Sequence, residues 1–560
     1  MRNFSILFLL LFAAKTNNAQ NALWAKKLKS ITSMSAANIV IDNNHDIIST
    51  GLYSDSATVA GFTLPTFPSV NFFITKHDAS GNALWVKGIG GNNWDEVFSV
   101  TKDQNNNIFV TGRFNSDTLY LGGSNYLASQ YNGYNMFILK YDAAGTLQWA
   151  RGAYSMFSGF SNVQGNDVVT DQANNVYVAG FFDGEGHFDN ISPLFSIQSM
   201  FIAKYSPSGT IQWLRKGDVT NGHNGSYLDG IQGIALDANN NIYATGKLLD
   251  SISFNGTKYG GNTVDGNFMT FKMDSSGNLQ WLRTIGNGGN DLNADMGKDI
   301  AVSPSGDVIV GGTTNDSSAV VMSGSTNTFY QKYSMALIKY DPNGNTIWDK
   351  RQSYIGIGYN SPMSFENIIN DVKVDNQGQI YITGRFQDSI NLFGTQLSGP
   401  IQESFVAKLD NAGNHVWSVH CSGKYDDNSQ SLDIDPTNNN VAISGYFQDS
   451  IHFTGGTVLN STASYEGFIA YIGTSAPSFL VASEEAIDVH IYPNPSHDVF
   501  HVQSTDPIQA IIVTDITGNI VYRSNNTLPQ EINLQNVPSG LYLMKIVSDA
   551  GSVTKRILKD

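Results

Sequence analysis

Residues 72–89 read FFITKHDASGNALWVKGI, a stretch built on one frame: Asp78, then Gly81 three residues on, then Trp85 four further. Apolar runs on both sides predict two strands. The Asp and the Gly favour a tight turn between them, because Asp can accept hydrogen bonds within the turn and Gly can adopt a positive φ. The stretch therefore predicts a β-hairpin that carries a large aromatic ring at a fixed place on its second strand.

The hairpin frame is repeated along the chain. Five more copies follow, one of them with Ser in place of Asp: Asp142-Gly145-Trp149, Ser206-Gly209-Trp213, Asp274-Gly277-Trp281, Asp341-Gly344-Trp348 and Asp410-Gly413-Trp417. A second frame, such as NNIFVTGRF at 106–114, recurs in phase, with its glycines at Gly51, Gly112, Gly180, Gly246, Gly312, Gly384 and Gly445. Two frames that keep a common period of about 65 residues indicate a repeat architecture.

Each repeat contains four strand-like runs, and there are seven repeats when Trp24 is counted with the others. Four-stranded antiparallel units in this number predict a seven-bladed β-propeller over residues 20–472. A β-solenoid has shorter coils, and an array of sandwiches needs about 100 residues per unit. The repeats begin with a lone fourth strand and end with a lone third strand, so residues 22–28 are expected to pair with 466–472 and close the ring.

The repeats resemble the bacterial β-propeller repeat family called SBBP, whose pattern runs D-x-x-G-N-x-Y-V-T-G, then D-x-F-x-x-K-x-D-x-x-G, then W. The resemblance covers residues 21–472. It is weakest in the fifth copy, which has Ser303, and in the last copy, where Tyr471 replaces the lysine. It implies the propeller fold and an extracellular setting, and it implies no catalytic residues, because the shared positions belong to turns and packing.

The composition changes after residue 472. Residues 473–486 form a polar linker, and 487–560 show alternating strands and Gly-containing turns that predict a small Ig-like β-sandwich. This last segment resembles the type A C-terminal sorting domain of type IX secretion substrates, and the matching residues are Pro493, Asn494, Pro495, Asp515, Gly518, Gly540, Tyr542, Lys555 and Arg556. The resemblance implies the type IX secretion machinery as a partner and a Bacteroidota-type cell. It also implies removal of the domain, with release or attachment at the outer-membrane surface.

The N-terminus and the composition also indicate export. Residues 1–19 read as a secretory signal peptide, with Arg2 before an apolar core and Ala19 at the end of a polar cleavage region. No later run has the ~18 apolar residues that a transmembrane helix needs, so the mature chain is expected to be soluble. The net charge of −16 argues against nucleic acid or an anionic membrane as a partner.

No catalytic, cofactor-binding or metal-binding residues are expected. Turns such as DNNHD at 42–46 offer only one or two carboxylates each, whereas Ca²⁺ needs six to eight oxygen ligands, so these turns are interpreted as hairpin turns. The ten histidines show no metal-ligand spacing. Quinone-dependent dehydrogenases carry a related tryptophan repeat, but typically with eight blades and often with a cysteine pair, whereas this chain has one cysteine.

Binding is the preferred function: the chain is expected to be an exported, non-catalytic cell-surface or secreted binding or adhesion protein with an unidentified glycan or protein ligand. The connections between repeats vary most and are rich in Gly, Asn, Ser and Tyr, a composition suited to recognition. The residues expected on the ligand face are Tyr154, Phe157, Tyr227, Tyr354 and Tyr359. The alternative is an extracellular glycan-active hydrolase or lyase that uses carboxylates from several blades in the central channel.

Overall fold

The structure is a computed structural model of the 560-residue chain. It describes residues 20–30, 34–55, 57–130, 133–156, 161–219, 230–248, 251–254, 256–260, 267–285, 295–315, 332–352, 365–461, 464–474, 489–504, 508–515, 520–525, 531–548 and 551–560. Every regular element in these ranges is a β-strand, which confirms the all-β class. The chain divides into two compact units between Thr474 and Ser475.

The described strands of the first unit can be grouped into seven sets of four consecutively paired antiparallel strands, called sheets 1 to 7 in chain order, some of which join into larger sheets. In pairing order, sheet 1 has the strands Met34–Ile41, Ile47–Asp55, Phe67–His77 and Ala83–Ile89, sheet 2 has Asp95–Lys102, Ile108–Phe114, Gly133–Tyr141 and Leu147–Met156, and sheet 3 has Ser161–Thr170, Val176–Phe188, Leu194–Tyr205 and Ile211–Val219. Sheet 4 has Gly230–Leu236, Ile242–Leu248, Asn267–Met273 and Leu279–Ile285, and sheet 5 has Met296–Val302, Val308–Asn315, Lys332–Tyr340 and Thr346–Gln352. Sheet 6 has Ile368–Val374, Ile380–Leu392, Thr395–Leu409 and His415–Gly423, and sheet 7 has Asn428–Ile434, Val441–Phe447, Glu466–Thr474 and Gln20–Ser30. Sheet 7 takes its fourth strand from the start of the chain, with Leu28 opposite Gly467.

Short strands between the second and third strands of a sheet extend several sheets. They are Ala57–Val59, Phe62–Thr63, Thr118–Gly122, Asn125–Ala128, Ser251–Phe254, Thr257–Gly260, Ser450–His452 and Val458–Asn460, while Phe365–Glu366 pairs in parallel with the third strand of sheet 5. Three of these hairpins also pair with the last strand of the preceding sheet, as Val59 does with Leu28. Backbone hydrogen bonds therefore join several sheets that are consecutive in the chain.

Apolar clusters join the sheets in a cyclic order. Seven clusters of buried side chains each combine residues from two consecutive sheets, and one of them joins sheet 7 to sheet 1 through Ile469 and Phe73. Between sheets 1 and 2, the rings of Phe72 and Phe137 stack with their centroids 4.9 Å apart. Sheets that are covered on both faces by neighbours and return to the first sheet form a β-propeller type of fold.

The tryptophan of one hairpin frame contacts the hairpin turn of the next sheet. The indole N–H of Trp149 in sheet 2 donates to the carbonyl of Pro207 in the sheet 3 hairpin at 3.0 Å. Gly209 in that hairpin has φ +79°, and a Cβ on it would lie 2.8 Å from the Trp149 ring. The frame therefore contains glycine for two reasons, the left-handed turn and the close approach of the preceding tryptophan.

The lysine of the repeat pattern holds the turn between the first and second strands. Lys76 Nζ lies 2.7 Å from Asp42 Oδ2, and Lys339 Nζ lies 2.9 Å from an oxygen of Asp307. In sheet 7, the hydroxyl of Tyr471 replaces the ammonium group and donates to Asp435 Oδ2 at 2.8 Å. This departure from the pattern keeps the hydrogen bond and replaces a charged donor with a neutral one.

The glycine of the second frame lies opposite a β-bulge. In sheet 3, the pairing register shifts between Gly165 and Asp167, and a Cβ on Gly180 would lie 1.9 Å from the carbonyl oxygen of Gln164. The same approach of about 2.0 Å to a backbone oxygen recurs at Gly112, Gly246, Gly312, Gly384 and Gly445. The bulge pushes a carbonyl against the second strand, so that only glycine fits there.

We expect Gly180→Ala to destabilise the first unit by about 3 kcal/mol, because the methyl group would displace backbone atoms rather than a flexible side chain. Gly152→Ala is the matched control, since the nearest atom to its Cβ would be the Met136 carbonyl oxygen at 3.5 Å, an ordinary contact. Urea unfolding of the two variants measures the difference. Equal midpoints for Gly180→Ala and the wild type would show that the bulge does not require glycine.

The second unit contains two antiparallel sheets around one apolar core. One sheet has the strands Val489–Tyr492, Val499–Ser504 and Glu531–Asn533, and the other has Ile520–Asn525, Ile508–Asp515, Gly540–Ser548 and Gly551–Lys559. Phe500, Val513 and Met544 are buried in the cluster formed by the two sheets. The Tyr542 hydroxyl donates to the Pro538 carbonyl at 2.6 Å, which fixes the entry into the long strand that begins at Gly540.

Candidate functional site

One residue of the expected ligand face is described. Tyr154 lies on the last strand of sheet 2, which extends to Met156, so it belongs to a strand rather than to the loop expected from the sequence. Its half-buried ring stacks on His187 with a centroid distance of 4.6 Å and an interplanar angle of 0°. Phe157, Tyr227, Tyr354 and Tyr359 lie outside the described residues.

Sheets 1 to 3 carry exposed aromatic side chains that the sequence analysis missed. They are Phe62, Trp94, Tyr120, Tyr126 and Phe195. All five lie in the short hairpins, at the start of a third strand or in a loop between sheets, whereas in the described parts of sheets 4 to 7 only Tyr425 is comparably exposed. The alternation in TLYLG at 118–122 is the signal that could have located one of them, because it places Tyr120 on the face opposite to two leucines.

The first strands of the sheets carry the carboxylates that the enzyme alternative requires. Each of these strands pairs with only one strand of its own sheet, so that some of its N–H groups have no partner there; the first strand of sheet 3 also pairs in parallel with Gly133–Tyr141 at its start. Four aspartates accept such N–H groups from the first strand of the next sheet: Asp167 from Ile234 at 2.8 Å, Asp299 from Val372 at 3.0 Å, Asp371 from Leu432 at 2.9 Å and Asp433 from Ile41 at 2.7 Å. These carboxylates therefore link consecutive sheets.

Lys373 neutralises part of this acidic cluster. Its Nζ lies 3.0 Å from Asp299 Oδ2 and 2.5 Å from Asp371 Oδ1. Burial raises the pKa of Asp299 well above its usual value, against the opposing effect of Lys373. Burial acts in the same direction on Asp371, but the lysine and several hydrogen bonds outweigh it and lower the pKa of that carboxyl. The two shifts thus run in opposite directions, so Asp299 holds its proton more strongly than Asp371 does.

We expect Lys373→Met to lower the free energy of unfolding by about 1–2 kcal/mol at neutral pH, a modest value because the lysine side chain is partly exposed. The depressed pKa of Asp371 contributes stability above the ordinary carboxyl pKa and loses it in acid, so the difference between variant and wild type should shrink as the pH falls below about 4. Lys216→Met is the control, since its pair with Asp218 is a surface pair. A pH series of urea unfolding curves would contradict this expectation if the difference stayed constant.

A second pair of acids is buried between sheets 6 and 7. Glu403 and Asp427 are both fully buried, and His420 Nε2 lies 3.5 Å from Glu403 Oε2. Burial and the negative charge of Glu403 raise the pKa of Asp427 to about 9. The corresponding position in sheet 6 is occupied by the neutral Asn367, whose Oδ1 accepts the N–H of Gln387 at 3.0 Å. Sheet 7 thus carries an acid at a position where, in sheet 6, a neutral amide accepts the backbone hydrogen bond.

We expect Asp427→Asn to raise the free energy of unfolding by about 1–3 kcal/mol near pH 8 and to leave it unchanged near pH 4. The folded wild type keeps this proton up to pH about 9, whereas the unfolded chain releases it near 3.8, so wild-type stability falls as the pH rises between these values. Asp95→Asn is the comparison: burial raises the pKa of Asp95 only to about 6, and the Ser116 hydroxyl donates to its carboxylate at 2.7 Å, so the gain near pH 8 should be smaller than for Asp427→Asn. Thermal unfolding at both pH values distinguishes the variants.

The residues of the sorting motif are partly brought together. Asn494 donates to the carbonyl of Arg556 and accepts the N–H of Leu558, each at 2.8 Å, which places the Pro493-Asn494-Pro495 segment beside Lys555 and Arg556 on the last strand. Asp515 is opposite Tyr542 in the strand register. Gly518 lies outside the described residues. Lys555 and Arg556 are exposed, so the final strand presents two cations to solvent.

Two further features concern the described residues only. Within these ranges no three His, Cys, Asp or Glu side chains are grouped in a way that could hold a metal ion. None of the described segments forms a helix of the length and apolarity needed to cross a bilayer.

Comparisons with known proteins match the two units separately. Residues 490–560 match the family model of the secretion system C-terminal sorting domain. An uncharacterized WD repeat-containing protein of Acanthamoeba polyphaga mimivirus is 25% identical over 445 residues, which are 65% of this chain and 31% of that protein. The chain thus spans about a third of the length of this relative.

Solved structures with a similar fold include the Pan2 WD40 domain of Neurospora crassa, at 8% identity and TM-score 0.30, covering 69% of this chain and 90% of that one. A member of the duf4221 family from Bacteroides vulgatus, at 10% identity and TM-score 0.30, covers 70% of this chain and 96% of that one. The family match and the motif geometry agree for the C-terminal unit. Residues 490–560 are a type IX secretion C-terminal sorting domain, which implies export and an extracellular or surface-associated location.

Proposed function

We propose that the chain is an exported, non-catalytic binding protein of the cell surface or the secreted fraction. In this proposal residues 1–19 are a signal peptide, 20–472 a seven-bladed propeller built from SBBP-type repeats, 473–486 a linker and 487–560 a cleavable, Ig-like sorting domain. The family match of the C-terminal segment carries the proposal, because such a domain serves to export the part of the chain that precedes it.

A binding role is supported by the distribution of side chains in the first unit. The positions that recur between repeats are used for turns, for bulges and for contacts between sheets. The exposed aromatic residues lie instead in the hairpins and loops that differ between repeats, and loops on a rigid scaffold are where recognition residues concentrate. The ligand is an extracellular glycan or protein that these loops contact.

Deletion of residues 490–560 is expected to leave the first unit folded inside the cell and to abolish its appearance outside, because the sorting signal is lost while the first unit keeps its own cores. Fractionation with immunoblotting measures this, and a variant with Ser461→Ala in the first unit serves as the export control. Undiminished export of the truncated chain would refute the role of the domain.

The binding part of the proposal needs its own test. Alanine at Tyr154, Phe157, Tyr227, Tyr354 and Tyr359 together should weaken binding of the purified protein to glycan arrays and to whole cells. A variant that binds as well as the wild type in both assays would exclude this face. A wild-type protein that binds nothing in either assay would count against binding as the function.

A second candidate is a glycan-active hydrolase or lyase that draws its acid and base from the carboxylates of several first strands. Glycoside cleavage needs two carboxyl groups about 5 Å or more apart, so Asp371 would need a more distant partner than Asp299, which contacts the same lysine. Screening the wild type against polysaccharides for new reducing ends or unsaturated products tests this. Activity that disappears in Asp371→Asn and survives in Asp433→Asn would support the enzyme, whereas absence of any cleavage would leave the cluster with its structural role.

A further inference from the structure

Two tyrosines form an exposed pair on the short hairpin of sheet 2. Tyr120 and Tyr126 are directly opposite each other in the antiparallel register of Thr118–Gly122 and Asn125–Ala128. Their side chains are 52% and 61% exposed, while Leu119 on the other face is fully buried. Directly opposite side chains have Cβ atoms about 5 Å apart, so the two tyrosines project side by side from the same face of the hairpin.

The corresponding pairs in the other described hairpins are not aromatic. The cross-strand pairs that point outward in sheets 1, 4, 6 and 7 are Thr58 with Thr63, Ser253 with Lys258, Asn391 with Gln396, and His452 with Val458. A polar or small pair therefore satisfies the fold at this position. The two tyrosines of sheet 2 expose apolar surface that the hairpin itself does not need, which is the usual property of a contact surface.

The hairpin is held rigidly against its neighbours. Gly90 at the end of sheet 1 and Tyr120 exchange backbone hydrogen bonds of 3.3 and 2.8 Å. The Asn92 side-chain amide donates to the Asp117 carboxylate at 2.8 Å and accepts the Asp117 backbone N–H at 3.0 Å, and the Ser116 hydroxyl donates to Asp95 at 2.7 Å. A hairpin whose backbone is held in this way needs little further ordering when a ligand stacks on its tyrosines.

The chemistry around the pair identifies the ligand class. Asp117 is the only charged residue between Asn115 and Gln130, and its carboxylate is already hydrogen-bonded to Asn92. The segment thus carries one carboxylate and no cation, on a protein with net charge −16, and both features would repel a polyanion. Aromatic faces are apolar and electron-rich, and they match the C–H face of a pyranose ring, while nearby amide side chains suit its hydroxyl groups.

We propose that Tyr120 and Tyr126 form a stacking platform for an uncharged polysaccharide. The inference rests on the proposed binding function and names its ligand class and the residues that contact it. Because the contact involves no charge, binding should change little between low and high salt.

Affinity gel electrophoresis of the full mature chain with laminarin, glucomannan or dextran in the gel tests the platform. At least one of these neutral polysaccharides should retard the wild type. Tyr120→Ala with Tyr126→Ala should weaken the affinity about tenfold. Tyr120→Phe with Tyr126→Phe should preserve retardation, and Thr58→Ala with Thr63→Ala on the equivalent hairpin of sheet 1 should have no effect. Circular dichroism shows whether the double alanine variant remains folded.

The other outcomes separate this inference from the proposed function. No retardation of the wild type by any of the three polymers would overturn the platform. So would retardation that the alanine pair leaves unchanged, even though binding as a function would then stand. Whole-cell binding that depends on the tyrosine pair but is abolished by protease treatment of the cells would assign the surface to a protein partner and also overturn the saccharide inference.

Discussion

The open edges of the first strands are the constraint on which the first unit depends. An edge strand has backbone N–H groups that need acceptors, and an unsatisfied edge is also a site for aggregation. The structure satisfies part of this edge with carboxylates from the preceding sheet, as Asp167 does for Ile234 and Asp433 for Ile41. The acids that look like a catalytic cluster thus also hold consecutive sheets together, and Lys373 limits their mutual repulsion. Because they have this structural role, acidic residues on the first strands are weak evidence for catalysis.

Much of the architecture is predictable because the repeat frames encode contacts that every sheet makes. The Asp, Gly and Trp frame predicts a hairpin, and the structure adds that its glycine packs against the tryptophan of the preceding sheet, as Gly209 does on Trp149. The second frame contains a recurrent glycine whose role the sequence does not reveal. The structure explains it at Gly180, where the bulge brings the Gln164 carbonyl too close for a side chain. The match of the C-terminal segment was predictable for a different reason, since its motif residues are spread over the whole segment in a specific order.

The candidate site was less predictable, because recognition residues occupy positions that the repeat does not constrain. Loop composition located Tyr154, but not its stacking on His187, which comes from the next sheet. Tyr120 and Tyr126 were not predicted, because each is an ordinary strand residue and their pairing depends on the register of a short hairpin. The link between Asp299 and Asp371 joins residues 72 positions apart, and sequence spacing alone cannot pair such residues.

Differences between repeats separate structural from functional positions. Where a contact is needed by the fold, a replacement preserves it, as Tyr471 preserves the bond to the turn carboxylate of Asp435. Where no contact of the fold depends on a side chain, its identity differs between repeats, and the tyrosine pair of sheet 2 lies at such a position. Asp427 is a third case, since burial there opposes its charge and the neutral Asn367 does the same work in sheet 6. The tyrosine pair is the more informative case, because no contact within the hairpin accounts for it, whereas residues that fall short of the best stability are common in natural proteins.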